Sequence, residues 1–409
     1  MKILLSAFAC DPEEGSEPGV GWSWAYHLAK AGHDVTILTR DFHQAAVEAG
    51  IQAAGLPNLR GEYVAIRLLP FWMPYLGVYP YYMLWQWKAY FRARQMHRER
   101  PFDLAHHTTY ATFRNVSYMY RLGVPFIFGP VGGGESAPRA LRASMSPKAK
   151  FFEVMRDCAN LLPRINPFWR QMLRQSACVV VKTEETRSHL PRRIRAKAFT
   201  CVDNMIAHQP YLAGDSRRGT PLRLLFAGRM LSWKGIHLAV RAIAQVAGQN
   251  AARLTIVGKG QEELNLREEV RRLGIEDRIE FIPWLSRAEC VALHATHDAF
   301  LFPSLHDSGG TVVMEAIAHG RPVICLDLGG PAVALDQHCA RIVDTRGKTE
   351  EQVVDGLARV ILELSQMSSS DWEEMRLAAV RRAQAYSPEK IISRVYERVL
   401  AAGALPSRT

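Results

Sequence analysis

The chain has 409 residues, 48% of them hydrophobic, which is typical of a globular protein with two or three domains and excludes a disordered one. Its net charge of +11 favours anionic partners, and the basic residues are concentrated between Lys88 and Lys197. The seven cysteines are scattered without a CxxC pair, so a reducing compartment is expected, with neither a zinc site nor a disulfide framework.

The N-terminal run KILLSAFAC is apolar but short, and Asp11 follows it, so it predicts a buried strand and not a signal peptide. No window reaches about 18 uninterrupted apolar residues, so we expect a cytoplasmic protein without a spanning helix. The segment from Phe71 to Arg100 combines aromatic residues with arginines. This pattern suits peripheral contact with an anionic inner membrane face, although packing within the first domain would explain it equally.

Apolar runs alternate with helical patterns twice along the chain. The runs of the first half are KILLSAFA, DVTILTR, YVAIRLL, DLAHHTT, PFIFGP and CVVVKT. Those of the second half are LRLLFAG, RLTIVG, IEFIPW, AFLFPS and PVICLD, followed by helical patterns beginning near Lys234, Gln261, Ser286, Thr311 and Pro331. This alternation predicts an α/β fold with two doubly wound, Rossmann-like domains that face an interdomain cleft. Ligands of such sheets bind beyond the carboxyl ends of the strands.

Turn-forming residues without periodicity mark the boundary between the two halves. We therefore predict an N-terminal acceptor domain over residues 1–204, a linker over 205–220 and a donor domain over 221–386. Residues 387–409 are expected to form a helix that returns to the N-terminal domain.

Glycines and histidines are the notable residues of the first half. Gly19 and Gly21 follow the first strand and would let the backbone approach a ligand closely, or simply form a turn. A dinucleotide fingerprint GxGxxG is missing there, so a nicotinamide site is disfavoured. His106 and His107 end the fourth run, where at most one of them can face the cleft and contact a sugar hydroxyl or relay a proton. The loop GPVGGGE, which ends at Glu135, predicts close approach to substrate.

Two cations follow the first strand of the second half in the motif GRMLSWKG. Arg229 lies at the strand end and Lys234 begins the next helix, so together they could neutralise a diphosphate and stabilise it as a leaving group. Gly258 follows the next strand, and Leu285 follows the one after that. Either position could border a nucleobase.

The most informative stretch runs from Phe302 to Gly330, FPSLHDSGGTVVMEAIAHGRPVICLDLGG. The paired Gly309 and Gly310 precede a helix, and bare amides at a helix N-terminus favour phosphate binding. Asp307 and Glu315 bracket the glycines and could hold hydroxyl groups of the same ligand. This combination indicates a nucleotide-sugar site.

Metal and hydrolase motifs are missing from the sequence. A metal-dependent diphosphate site would normally contain paired carboxylates, but no Asp-x-Asp occurs, so no metal or other cofactor is expected. The motifs GxSxG, GxxxxGK[ST] and HExxH do not occur. Nucleic acid is not an expected partner, because no zinc-finger, RNA-recognition or basic-zipper pattern is present.

These motifs together resemble the retaining glycosyltransferases of family 4, which have the GT-B fold. The resemblance covers nearly the whole chain, through SEPGVGW, GRMLSWKG, IVGKGQEE, HDSGGTVVMEAIAHGRPV and SPEKIISRVYERVL. It implies that Glu315 holds the ribose, that Arg229 and Lys234 bind the diphosphate, and that Asp307 lies near the donor sugar where the family usually has Glu. Contacts to phosphate and sugar would come from Gly309, Gly310 and the backbone of Thr311 and Val312.

The resemblance implies a metal-independent hexosyltransferase that uses a UDP- or GDP-linked sugar and a lipid-linked or polysaccharide acceptor. Its mechanism would be front-face attack, with the leaving phosphate accepting the acceptor's proton. His106 is the candidate for a catalytic histidine. Two alternatives remain: a nucleotide-sugar epimerase of the same fold, and a non-catalytic protein that binds nucleotide sugars or polyanions.

Overall fold

A computed structural model describes residues 1–66, 78–110, 112–206 and 219–401. The chain forms two compact units. The first comprises Met1–Gly134, Cys158–Met205 and the residues from Pro388 onward, and the second comprises Glu135–Asp157 and Ile206–Ser387. Most of the predicted linker, residues 207–218, lies outside the described residues, as do residues 67–77 of the aromatic segment and residues 402–409.

A seven-stranded sheet of parallel strands forms the centre of the first unit, in the order β3-β2-β1-β4-β5-β6-β7. Its strands are β1 (Lys2–Ala7), β2 (Asp34–Arg40), β3 (Leu59–Val64), β4 (Leu104–Thr109), β5 (Phe126–Val131), β6 (Cys178–Val181) and β7 (Ala198–Thr200). The helices up to β7 are α1 (Ser16–Lys30), α2 (Gln44–Ala54), α3 (Val78–Glu99), α4 (Pro147–Ala159), α5 (Pro167–Gln175), α6 (Glu184–His189) and α7 (Arg192–Arg195). Most of α4 belongs to the second unit.

The second unit contains a six-stranded parallel sheet in the order β10-β9-β8-β11-β12-β13. Its strands are β8 (Leu222–Ala227), β9 (Ala252–Val257), β10 (Ile279–Ile282), β11 (Ala299–Phe302), β12 (Val323–Leu326) and β13 (Ala340–Val343). The helices are α8 (Ile236–Val246), α9 (Glu263–Leu273), α10 (Arg287–Ala292), α11 (Thr311–Ala318), α12 (Gly329–Ala334), α13 (Glu350–Gln366) and α14 (Ser369–Gln384). The last helix, α15 (Pro388–Ala401), packs in the first unit beside α1.

The strands form because their residues are apolar on both faces, as helix-covered parallel strands require. Every residue of β6, β11 and β12 is buried. The alternation therefore predicted the α/β class and both doubly wound sheets, and these predictions are confirmed. The alternation did not predict β7 and β13, because these strands are only three and four residues long.

Helix α3 shows how the core selects one face of an aromatic segment. Tyr82, Trp85, Ala89, Ala93 and Met96 recur at helical spacing and are 0–9% exposed. A fully buried large apolar side chain contributes about 1.5–3 kcal/mol to folding. Tyr82 and Trp85 are therefore core residues, and the structure does not support their interpretation as membrane-interface residues.

The segment 135–157 differs from its predicted place in the N-terminal domain. It packs in the second unit, where Glu153 and Glu135 bind His306 and Ser308 in the loop that follows β11. No helix within the described ranges is both long enough and apolar enough to cross a bilayer.

Candidate functional site

Two adjacent strands place the main candidate residues of the second unit at one edge of the sheet. β8 and β11 pair directly, so the loops that leave their carboxyl ends meet. The amide of Leu305 donates to the Trp233 carbonyl at 2.8 Å. Gly235 has a φ of +66°, and a Cβ there would lie 2.0 Å from the Pro303 carbonyl oxygen, so only glycine permits this approach.

An ion pair joins these two loops. Lys234 Nζ lies 2.5 Å from Asp307 Oδ2, and both side chains are nearly buried, at 18% and 19% exposure. Burial alone would raise the pKa of Asp307, but the Lys234 ammonium and two backbone hydrogen bonds outweigh it and lower the pKa below its usual value. Asp307 is therefore ionised at neutral pH.

The paired glycines contact Asp307. The amides of Gly309 and Gly310 donate to Asp307 Oδ1 at 3.0 and 2.8 Å, so they are not the bare amides that the sequence suggested. The next two amides, of Thr311 and Val312, have no acceptor within the part of the chain that the structure describes. They occupy the first turn of α11, where the helix dipole is positive.

The loop is also fixed from its other side. The amide of Gly330 donates to the Asp307 carbonyl at 2.7 Å. A Cβ on Gly329, whose φ is +66°, would lie 2.3 Å from that same carbonyl oxygen. The position of Asp307 is thus set by close packing of two backbone segments.

Glu315 lies on α11 and forms an ion pair that the sequence did not reveal. Arg287 Nε is 2.8 Å from Glu315 Oε1, and Arg287 is 69% exposed whereas Glu315 is 13% exposed. Ser286 starts α10 with a capping box to Glu289, which orients Arg287 at the first helical position. The capping pattern could have located this helix start, but not the partner of Arg287.

Arg229 is exposed and has no carboxylate partner among the residues described. Gly258 has a φ of +140°, and a Cβ there would lie 2.0 Å from the Gly228 carbonyl oxygen, so it is required where the loops after β8 and β9 meet. Leu285 is half-buried in the loop after β10, and its neighbour Trp284 is 55% exposed. All three candidates lie in the second unit.

Two buried carboxylates hold the loop after β11 in place, and sequence reasoning did not assign either one to this loop. His306 Nε2 donates to Glu153 Oε1 at 3.0 Å, and the His306 ring stacks on Trp233 at a centroid distance of 5.4 Å. Ser308 Oγ donates to Glu135 Oε2 at 2.6 Å. Glu135 ends the GPVGGGE loop, so that motif did indicate a functional region around Glu135. No motif in the sequence marks Glu153, which lies in a helix.

Burial alone would raise the pKa of Glu153. However, its hydrogen bonds to His306 and to the Ala137 amide, together with the Arg156 charge, hold the pKa below its usual value. An ionised Glu153 is the stronger acceptor for His306. It therefore acts as a positioning residue for the loop that carries Asp307.

The candidates of the first unit have packing roles. Gly19 and Gly21 lie inside α1 and not in a loop. A Cβ on either one would lie 2.3 Å from a carbonyl oxygen, of Glu14 and of Ala9 respectively, so glycine is needed at both positions. These glycines let the helix pack against the backbone that precedes it. No ligand contact is needed to explain them.

His106 is fully buried in β4. Its Nε2 donates to the Gly129 carbonyl at 2.7 Å, and its Nδ1 accepts from the Tyr396 hydroxyl at 3.1 Å. Burial lowers its pKa to about 4. Both nitrogens are thus occupied, and this placement does not support a catalytic role for His106. His107 is equally buried and pairs with Ser6 and Tyr82.

No group of three or more His, Cys, Asp or Glu side chains with metal-binding geometry occurs among the described residues. The expectation of a metal-free site remains a prediction.

Two family models match the chain in succession. Residues 20–204 match a glycosyl transferase 4-like domain, and residues 213–373 match the glycosyl transferases group 1 model. The second match contains Arg229, Lys234, Asp307 and Glu315.

One curated relative is a glycogen synthase of Mycobacterium tuberculosis, 32% identical over 135 residues. That alignment covers 32% of this chain and 32% of the relative. Alignments of this kind cover between 28% and 51% of the length of the curated relatives.

Solved structures show the same fold at low sequence identity. The lipopolysaccharide outer core galactosyltransferase WaaB in its apo form has a TM-score of 0.65 and 13% identity, covering 98% of this chain and 99% of that one. HepE of Anabaena in complex with UDP has a TM-score of 0.60 and 15% identity, covering 98% and 100%.

Proposed function

Because the chain belongs to the glycosyl transferase group 1 family, we propose that it is a retaining, metal-independent hexosyltransferase that uses a nucleotide-diphospho sugar. The observation that carries this proposal is the Lys234–Asp307 pair, which joins the loops of adjacent strands β8 and β11 at the N-terminus of α11. A cation, an ionised acid and a helix N-terminus are thereby concentrated at one edge of the sheet.

The diphosphate is bound by the positive groups of this edge. Lys234 is held in place, Arg229 is exposed, and the Thr311 and Val312 amides donate from the positive end of α11. Among the residues that the structure describes, Lys234 pairs with Asp307, whereas Arg229 has no carboxylate partner and the two amides have no acceptor. The Lys234 charge is shared between Asp307 and the incoming phosphate.

Asp307 then orients the donor sugar. An ionised carboxylate can accept about four hydrogen bonds. Asp307 accepts two from the glycine amides and one from Lys234, so one position on Oδ2 remains for a sugar hydroxyl. Because Asp is one methylene shorter than Glu, that hydroxyl must approach closer to the loop than it would with Glu.

Glu315 holds the ribose. Arg287 uses one of its oxygens, which leaves acceptor positions for the two ribose hydroxyls. The 13% exposure of Glu315 makes these hydrogen bonds stronger than they would be in bulk water. Trp284 and Leu285, just before α10, supply apolar surface that can border the base.

In the transfer step, the bond between the anomeric carbon and the phosphate oxygen breaks, and the acceptor oxygen bonds to that carbon on the same face. The acceptor's proton passes to the leaving phosphate. Arg229 and Lys234 stabilise the charge that develops on this leaving group, which is often the largest contribution to such catalysis. No side-chain base is required, which is compatible with the burial of His106.

The acceptor proposed is a lipid-linked saccharide or a polysaccharide. Support comes from WaaB, which acts on the lipopolysaccharide outer core, and from the glycogen synthase relative. UDP is the first nucleotide to test because HepE was solved with UDP, and a GDP-linked sugar is the second.

Incubation of the protein with labelled UDP- and GDP-sugars, with and without membrane extract, tests the proposal. We expect label to move to a lipid or polysaccharide fraction only when extract is present. Conversion to another sugar without an acceptor would support the epimerase instead. Binding of donor without any movement of label would support the non-catalytic protein.

A further inference from the structure

Helix α4 turns an apolar face to solvent. Phe151, Phe152, Val154 and Met155 are 60%, 56%, 51% and 51% exposed. At 100° per residue these positions share one side of the helix, in the i, i+3, i+4 pattern of an amphipathic segment. Side chains of this size and number are seldom left exposed together on a monomeric protein without a partner.

The opposite face of α4 is fixed to the second unit by acids. Glu153 is 3% exposed and accepts hydrogen bonds from His306 and from the Ala137 amide. Asp157 pairs with Arg142 at 2.9 Å. Because both acids of the helix point inward and are paired, the outer face contains no negative charge of its own.

Cations lie on the apolar face and at its edges. The exposed Lys148 shares the face, the exposed Lys150 lies at one edge, and Arg156 lies at the other, 31% exposed and 3.8 Å from Glu153. Apolar side chains bordered by lysine and arginine are typical of helices that lie in the boundary between headgroups and acyl chains. Exposed apolar residues also continue along the chain after α4, at Leu161, Leu162 and Ile165.

We propose that α4 docks on the surface of an anionic lipid bilayer, with Phe151, Phe152 and Met155 inserted and Lys148 and Lys150 among the headgroups. The choice of an anionic bilayer rests on charge complementarity, since the exposed face offers only apolar and cationic groups. This docking surface is distinct from α3, where the sequence placed membrane contact. It does not depend on the transfer reaction, because docking needs neither donor nor acceptor.

Vesicle flotation of the full chain tests the proposal. We expect the protein to float with vesicles of phosphatidylcholine and phosphatidylglycerol, to float much less with pure phosphatidylcholine, and to be released as salt is raised. The variant Phe151→Ser/Phe152→Ser should partition about tenfold or more weakly, since two large apolar side chains are lost. Lys148→Glu/Lys150→Glu should lose the preference for the anionic lipid.

The matched control is Phe42→Ser/Leu264→Ser, which removes two equally exposed apolar side chains, 78% and 79%, from other elements. It should float like wild type. Unchanged melting temperatures would show that every variant is folded, as expected for exposed positions.

Three outcomes would overturn the proposal: wild type that does not float with anionic vesicles, a Phe151→Ser/Phe152→Ser variant that floats as well as wild type, or an equal loss in the control. A fourth is a wild-type dimer in sedimentation that this variant converts to monomer while vesicle binding is unchanged. In that case a second copy of the chain covers α4.

Discussion

β4 of the first unit and β11 of the second occupy the same place in their sheets, next to the first strand of each, but their polar residues have different roles. His106 is the third residue of the six-residue β4, so the helices covering the sheet bury it and both its nitrogens are satisfied. Asp307 lies five residues beyond the end of β11 and keeps an acceptor position free. A polar residue near a strand end is therefore not necessarily a ligand-binding residue. The hydrogen-bonding capacity that it has left distinguishes a ligand-binding residue from one that only packs.

The largest effect is expected for Lys234→Ala. Removing a cation from the leaving diphosphate should lower kcat/KM by about 100-fold or more. The protein should stay folded but melt at a lower temperature, because Asp307 loses its ion-pair partner. Steady-state kinetics with the identified donor would measure the loss of kcat/KM. Arg253→Ala is the control, because Arg253 is an exposed cation near the amino end of β9 and should keep wild-type activity.

Glu315→Gln should weaken donor binding about tenfold or more, since hydrogen bonds to a charged acceptor contribute about 1.5–3 kcal/mol. The loss should appear in the Kd of the nucleoside diphosphate by calorimetry and not in the Kd of inorganic pyrophosphate, which has no ribose. Arg287→Ala is the companion variant and should have a smaller effect. Equal loss for both ligands would contradict the assignment of Glu315 to the ribose.

His106→Asn tests whether His106 has a structural role and not a catalytic one. It should lower the free energy of unfolding by about 1–3 kcal/mol through lost hydrogen bonds, yet leave kcat of the folded protein within about threefold of wild type. A kcat loss comparable to that of Lys234→Ala would restore His106 as a catalytic residue.

The pH dependence of stability provides an independent test of the buried histidine. The pKa of His106 is about 4 in the folded protein and near its ordinary value of 6.5 when unfolded, so the unfolded state binds more protons between these values. Wild-type stability should therefore fall as pH is lowered from 6.5 towards 4. His106→Asn should show a shallower fall in urea unfolding measured across that range.

The smallest effect is expected for Glu135→Gln. The amide oxygen can still accept from Ser308, so the loop after β11 should shift little and the donor KM should rise only about threefold. Glu135→Ala removes the acceptor altogether and should raise the donor KM further. Equal KM values for all three proteins would show that this hydrogen bond does not position Asp307.

Sequence reasoning predicted the elements that depend on local pattern. Apolar runs located most of the strands, and Thr311 was predicted and confirmed as the start of α11. The sequence also identified the family, which the two family models confirm. The catalytic role of His106 stays a prediction that its burial does not support, because the run DLAHHTT does not show how deeply the covering helices bury the strand.

Pairings between distant residues could not be predicted. Arg287 and Glu315 are 28 residues apart, and Glu153 and His306 are 153 apart, so only the folded sheet brings them together. The use of the Gly309 and Gly310 amides by Asp307 is local, but it depends on the φ of +67° at Gly310, which the sequence permits without requiring.

The close contacts between glycines and backbone carbonyl oxygens around this loop also restrict which substitutions the protein tolerates. A side chain at Gly235, Gly258 or Gly329 would collide with a backbone oxygen at 2.0–2.3 Å, so a variant library directed at these positions would yield mostly misfolded protein. Trp284 and Arg287 are 55% and 69% exposed, so their replacement causes no such collision, although Arg287 also pairs with Glu315. Redesign of donor preference should therefore begin at those two positions.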